Sequence, residues 1–169
     1  LLGFDVIRIQ GRGRITYDDR EMIKKAIRQL VGLEIVEEDA SSITAQFLLE
    51  PTTLDPEKIL RRMHMITNGM HRDAITSLLE SDMHLMRIVT ERDDEVDRLY
   101  FLLVRLIRSA AQDARLASRF RLSPIDCLDY RVAANMIEAI GDASVEVAKL
   151  AAMLPSSTLD DKVNDALKS

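Results

Sequence analysis

Tryptophan is missing from this chain, and aromatic residues make up only 4% of it. A core must therefore be built from Leu, Ile, Val, Met and Ala, side chains that suit helix packed on helix. Glycine and proline are scarce, at 6 and 4, which argues for few turns and long elements. The lone cysteine, Cys127, excludes an intrachain disulfide. Its flanks, Asp126 and Leu128, give no reason to expect a depressed thiol pKa. A single thiol also fits a reducing cytoplasm, the location expected for this chain. No apolar run approaches the ~18 residues of a membrane span, and no signal peptide is visible, so no membrane insertion is expected. Nor is there an excess of base. With 28 acids against 23 bases the net charge is −5, which argues against nucleic-acid binding through a global basic surface. The sequence opens on Leu1 in place of Met, and a native segment is expected ahead of it.

Hydrophobic residues make up 47% of 169, enough for one medium domain or a small domain fused to a larger one. The pattern changes near residue 50. Before it, Phe4 to Ile9 alternates loosely and is β-branched, a strand signal. Gly11-Arg12-Gly13 marks a turn. It lacks the third glycine of a dinucleotide fingerprint and the Lys-Ser/Thr of a P-loop, so a hairpin turn is expected there. Met22, Ile23, Ala26, Ile27 and Leu30 form a helical stripe, capped by Asp18 or Asp19 and ended by Gly32. Leu33–Val36 and Ile43–Leu48 read as strands joined by the polar loop Glu37–Ser42. Residues 1–50 thus make a small β-α-β-β domain, and 51–54 a linker.

Residues 55–169 read as helices. Asp55-Pro56-Glu57 combines a capping side chain, a proline at the first helical position and an acid in the first turn. A first long helix is expected over 56–80, with Ile59, Met63, Ile66, Met70, Ala74 and Leu78 on its apolar stripe. A second is expected over 82–116, along Met86, Val89, Val96, Tyr100, Leu103, Ile107, Ala111 and Ala114. A third opens at Ser123-Pro124 and runs to about 154, along Ala133, Met136, Ile137, Ile140, Ser144, Val147, Leu150, Ala151 and Leu154. Short links force an antiparallel path. The fold class is mostly α, an antiparallel three-helix bundle after a small β-α-β-β segment. Asp160 to Leu167 has the pattern of a further helix start.

Charge is densest at Glu91-Arg92-Asp93-Asp94-Glu95-Val96-Asp97. A solvated helix face is the plain explanation, but Asp93 lies four residues after Val89 and three before Val96, inside the apolar stripe. A carboxylate there costs several kcal/mol unless it is paired, protonated or metal-bound. Asp97 sits one turn further, at the stripe's edge. On the third helix Glu138 and Asp142 are also spaced i,i+4. Counted from Ile140 they fall opposite the apolar stripe, as surface acids. Between them Gly141 costs about 1 kcal/mol in a helix interior against Ala, a hint of close packing or of room for a ligand. Two carboxylate pairs on neighbouring helices can hold a hard or borderline cation. Solvated acids remain the alternative. General acid–base catalysis has no nucleophile, oxyanion donor or substrate pocket to support it, and no enzyme is expected. His64, His71 and His84 lack the i,i+4 spacing of a helical zinc pair.

At Asp93-Asp94-Glu95-Val96-Asp97 and Glu138-Ala139-Ile140-Gly141-Asp142 the sequence resembles the PhoU family of phosphate-uptake regulators. Members carry an Asp-x-x-Ile-Asp form on one helix and a Glu-Arg-Ile-Gly-Asp form on the next. Met70-His71-Arg72-Asp73-Ala74 is similar as well. The resemblance covers about residues 55–154. It departs where Ala143-Ser144 replace His-Ala and Asn135 replaces an arginine. It implies three-helix bundles, usually in tandem, and a cytoplasmic negative regulator of phosphate transport or its genes. It also implies a divalent or trivalent metal ion (iron, manganese, magnesium or zinc) at Asp93, Asp97, Glu138 and Asp142. The partners it implies are a second copy, in a homodimer, and phosphate-transporter or sensor-kinase components. The β-α-β-β segment resembles archaeal members, where an AbrB-like domain ahead of the region seen here would add DNA. A helical dimerisation module without metal is the alternative.

Overall fold

A computed structural model of the chain describes residues 4–150 and Met153. Among these are five α-helices and one three-stranded antiparallel sheet. The elements are β1 (Val6–Gln10), α1 (Tyr17–Arg28), β2 (Leu33–Glu38) and β3 (Ser42–Phe47), followed by a 3₁₀ turn at Pro51–Thr53. Then come α2 (Pro56–Glu80), α3 (Met83–Gln112), α4 (Ala114–Phe120) and α5 (Pro124–Leu150). No described helix is long and apolar enough to cross a membrane. The further helix expected at 160–167 lies outside the described residues.

The chain divides into two compact units, Leu1–Pro56 with Phe101–Arg131 and Glu57–Tyr100 with Val132–Ser169. In the first, the sheet order is β1-β3-β2. Ile9 pairs with Ile43 and Ile7 with Ala45 on one side of β3, while Leu33 pairs with Phe47 and Ile35 with Ala45 on the other. Ile43, Ala45 and Leu33 bury against Ile27 of α1, with Ile23, Leu30 and Phe47 around them. A bulge between Ile35 and Glu37 gives β2 one extra residue. The β2–β3 loop is held by Asp39, whose carboxylate accepts from the backbone N–H of Ser41 and of Ser42, at 2.7 and 2.8 Å, and from both hydroxyls. Those donors hold its pKa well below the usual carboxylate range. Arg105 of α3 ion-pairs with Asp5 and lies 3.8 Å over the Phe47 ring, a cation–π contact.

Three local expectations are corrected. The Gly11–Gly13 segment is a bend leading from β1 into α1 and not a hairpin turn, because the partner of β1 is β3. A Cβ on Gly11 would stand 2.9 Å from the Gly13 carbonyl oxygen, so glycine is needed there. The α1 cap is Thr16, which accepts from the Asp19 N–H at 3.2 Å while its hydroxyl donates to the Asp19 carboxylate. A threonine two residues before the acids thus takes the capping role. The single helix expected over 82–116 is broken at Asp113. This residue is extended (φ −125°) and its carboxylate accepts from the Arg115 N–H at 2.8 Å, so it starts α4 as an N-cap.

In the second unit α2 buries Ile59, Met63, Thr67, Met70, Ala74 and Ser77, a three-and-four spacing. Ser77 replaces the expected Leu78 and donates its hydroxyl to the Asp82 carbonyl at 2.8 Å. From α3 come Val89, Val96 and Tyr100. The expected α5 stripe is rotated. Its buried positions in this unit are Ala134, Gly141, Ser144, Val145 and Ala148, while Met136 and Ile140 are 62% and 50% exposed. Small residues and Val145 form the buried face, Ser144 of the expected stripe among them, while Met136 and Ile140 look outward.

Candidate functional site

The rotation of α5 turns its acidic pair toward α3, within electrostatic reach of Asp93. Gly141 is buried, and a Cβ placed on it would lie 3.4 Å from Asp93 Oδ1, 3.7 Å from Met70 Cε and 3.8 Å from Val96 Cγ1. Helices α2, α3 and α5 therefore converge at this point. Glu138 precedes Gly141 by three residues, about 60° around the helix from it, and Asp142 follows it directly. They flank the contact with α3, so the surface assignment from periodicity holds for Asp142 and is modified for Glu138. Glu138 is half-buried and Asp142 exposed.

Electrostatics record the convergence. The Asp93 carboxyl is pushed up from 3.8 to about 6, first by burial and then by the charges of Asp97, Asp142, Asp94 and Glu138. Asp97 is raised for the same reasons, burial first, then Asp142 and Asp94. Four carboxylates from two helices thus share one field, with Asp94 a fifth contributor. Among the described residues no hydrogen bond or ion pair reaches Asp93 or Asp97. Their neighbours in the acidic run are paired. Arg92 meets Asp73 of α2 at 2.5 Å, and Glu95 meets Arg62 of α2.

The donor set is all oxygen, which suits magnesium, manganese or iron better than zinc. A cation would relieve the repulsion that raises Asp93, and Gly141 leaves the space of a side chain beside its carboxylate. Among the described residues no three His, Cys, Asp or Glu side chains are gathered tightly enough to enclose an ion. The carboxylates are electrostatic neighbours, and a cation would have to draw them in. His64, His71 and His84 are all exposed. Cys127 is buried, and desolvation, with Asp126 adding to it, pushes its thiol pKa up.

Sequence reasoning missed what α5 contributes. The signal was present in Ala134, Gly141 and Ala148, small residues at intervals of seven, which a hydrophobicity stripe passes over in favour of Met136 and Ile140.

A family profile described as PhoU domain matches residues 60–151, more than half of the chain. The match spans both acidic motifs. No curated protein and no solved structure matches the chain in the corresponding comparisons.

Proposed function

This chain belongs to the PhoU family, and on that premise we propose that it is a regulator of phosphate homeostasis that works through protein contacts and carries a metal site on α3 and α5. The family is regulatory and not catalytic, and its members interact with phosphate-transport components. The finer reading is that α2, α3 and α5 form an antiparallel three-helix bundle, following a small α/β domain over residues 1–50. Asp93, Asp97, Glu138 and Asp142 are its proposed ligands for a divalent or trivalent ion. One observation supports the assignment: Gly141, which sits between the two α5 acids in sequence, packs against Asp93, a Cβ there lying 3.4 Å from its carboxylate oxygen, and the charges of those acids add to the rise in the Asp93 pKa. Bound there, an ion would supply positive charge and a link between the two helices. The protein's own part is to hold four carboxylates in one electrostatic field.

The partner surface in this reading is a phosphate transporter or sensor kinase, at the cytoplasmic face of the membrane, together with a second copy of the chain. Direct DNA contact would require an AbrB-like domain elsewhere in a longer protein. A metal-free dimerisation module is the second reading, favoured by the outward-facing Met136 and Ile140.

Two measurements test the proposal. Metal content of purified wild-type protein is compared with that of Asp97→Ala/Asp142→Ala. Loss of the ion from the variant is expected, and equal content would overturn the ligand assignment. Phosphate uptake is then measured in the source cells with the gene deleted. Uptake in phosphate-rich medium should rise and return to normal on complementation, and unchanged uptake would overturn the regulatory role.

A further inference from the structure

The first unit contains a groove of about 900 Å³ lined by the end of α3, by α4 and by the start of α5. Its walls include Val104, Ile107, Ala110, Ala117, Leu122 and Leu128. The protonated Cys127 thiol adds to this apolar lining, since burial pushes its pKa up. The chain as a whole carries a charge of −5, yet the lining has the opposite sign. Arg108, Arg121 and Arg131 border the groove, and no Asp or Glu does. Arg108 and Arg121 are exposed, and among the described residues neither makes an ion pair. Arg121 ends α4 in the left-handed conformation, at φ 55°. A non-glycine residue there is uncommon.

Apolar walls with a few fixed polar groups are the usual make-up of a small-molecule site, and the volume lies within the usual range of roughly 300–1,000 Å³. The excess of positive charge selects the polar end of the occupant. We propose that this groove binds a single-chain amphiphile with an anionic head. The alkyl chain lies against Val104, Ile107 and Leu122, and the head lies at the rim beside Arg108 and Arg121. A carboxylate and a phosphate head share the chemistry that two guanidinium groups recognise, so both types of head are tested. The proposal does not depend on the acidic pairs of the other unit.

The experiment titrates the full chain with dodecanoate, dodecyl phosphate and dodecanol, each below its micelle concentration, by calorimetry and by displacement of anilinonaphthalene sulfonate. Both anions should bind, and dodecanol should bind about tenfold more weakly. Whichever anion binds more tightly identifies the preferred head. Arg108→Gln/Arg121→Gln, at two exposed positions, should erase most of that tenfold preference while leaving dodecanol unchanged. Ala114→Trp and Ala117→Phe should each block all three ligands, with helix content by circular dichroism confirming that they fold. Equal binding of dodecanol and the anions overturns the assignment of the head to the arginines. Absence of binding by any ligand, or binding unchanged in both filled variants, overturns the site.

Discussion

Asp93 couples residue chemistry to stability in the metal-free protein. Its folded pKa, about 6, stands above the ordinary 3.8. Between those values the folded state holds a proton that the unfolded state has released. Stability therefore falls as pH rises through this window, is free of the penalty below about 3.8 and bears it fully above about 6. Asp97 acts in the same direction. In chelator-treated protein, Asp93→Asn should raise the melting temperature at pH 7.5, have little effect at pH 4 and flatten the profile between. Thermal unfolding across that range is the check, and parallel profiles would contradict the burial argument. Thr67 makes a second case at this scale. It is 3% exposed, and among the described residues its hydroxyl has no hydrogen-bond partner. Thr67→Val keeps the shape and removes the unmet polar group, so urea denaturation should show a gain of about 1 kcal/mol. Asp93 was legible in the sequence because a charge interrupting an apolar stripe is visible one residue at a time. Thr67 was not, because a threonine beside Ile66 reads as the less apolar of two neighbours.

At the scale of elements, long helices with strong start signals were legible and joints within helical stretches were not. Pro56–Glu80 matches the span expected from Asp55-Pro56-Glu57. The interruption at Asp113 was hidden, because Ala110, Ala111 and Ala114 favour helix on both sides and only the aspartate's capping bond to the Arg115 N–H tips the balance. The face of α5 was misread for a related reason: amphipathic counting weighs side-chain size, whereas a closely packed helix selects against it. Gly141 allows a direct test. Alanine there would put a Cβ in ordinary contact with Met70 and Val96, and 3.4 Å from the Asp93 oxygen. Gly141→Ala should stabilise the metal-free protein by up to about 1 kcal/mol through helix propensity. It should also weaken metal binding by taking up the space beside the carboxylate. Denaturation in chelator, paired with metal titration, reads both effects. A variant that binds metal as the wild type does would remove Gly141 from the site.

At the scale of the whole molecule, the outward residues of α5 present apolar side chains to solvent. Val132, Met136, Ile140 and Leu150 are all exposed along one helix, and a surface of this kind marks interaction sites when it is contiguous. If a second copy covers it, Met136→Asp with Ile140→Asp should shift the protein from dimer to monomer in sedimentation equilibrium while helix content holds. A wild type that is already monomeric at high concentration would exclude this surface as a self-contact. Membership of the PhoU family was legible at this scale, because two acidic motifs in fixed order survive without any knowledge of packing. The rotation of α5 was not, since it depends on packing that the motifs do not encode.

That turn has a kinetic consequence. Helix α5 carries two candidate seams, one of alanine, glycine, serine and Val145 that is buried in the folded chain and one of Val132, Met136 and Ile140 that is not. During refolding from denaturant the second seam offers more apolar area per contact, so early collapse should favour the wrong rotation. Escape then requires the helix to detach and turn before the small residues can dock. A slow refolding phase, absent from a variant with Met136 and Ile140 replaced by polar residues, is the expected trace of that choice.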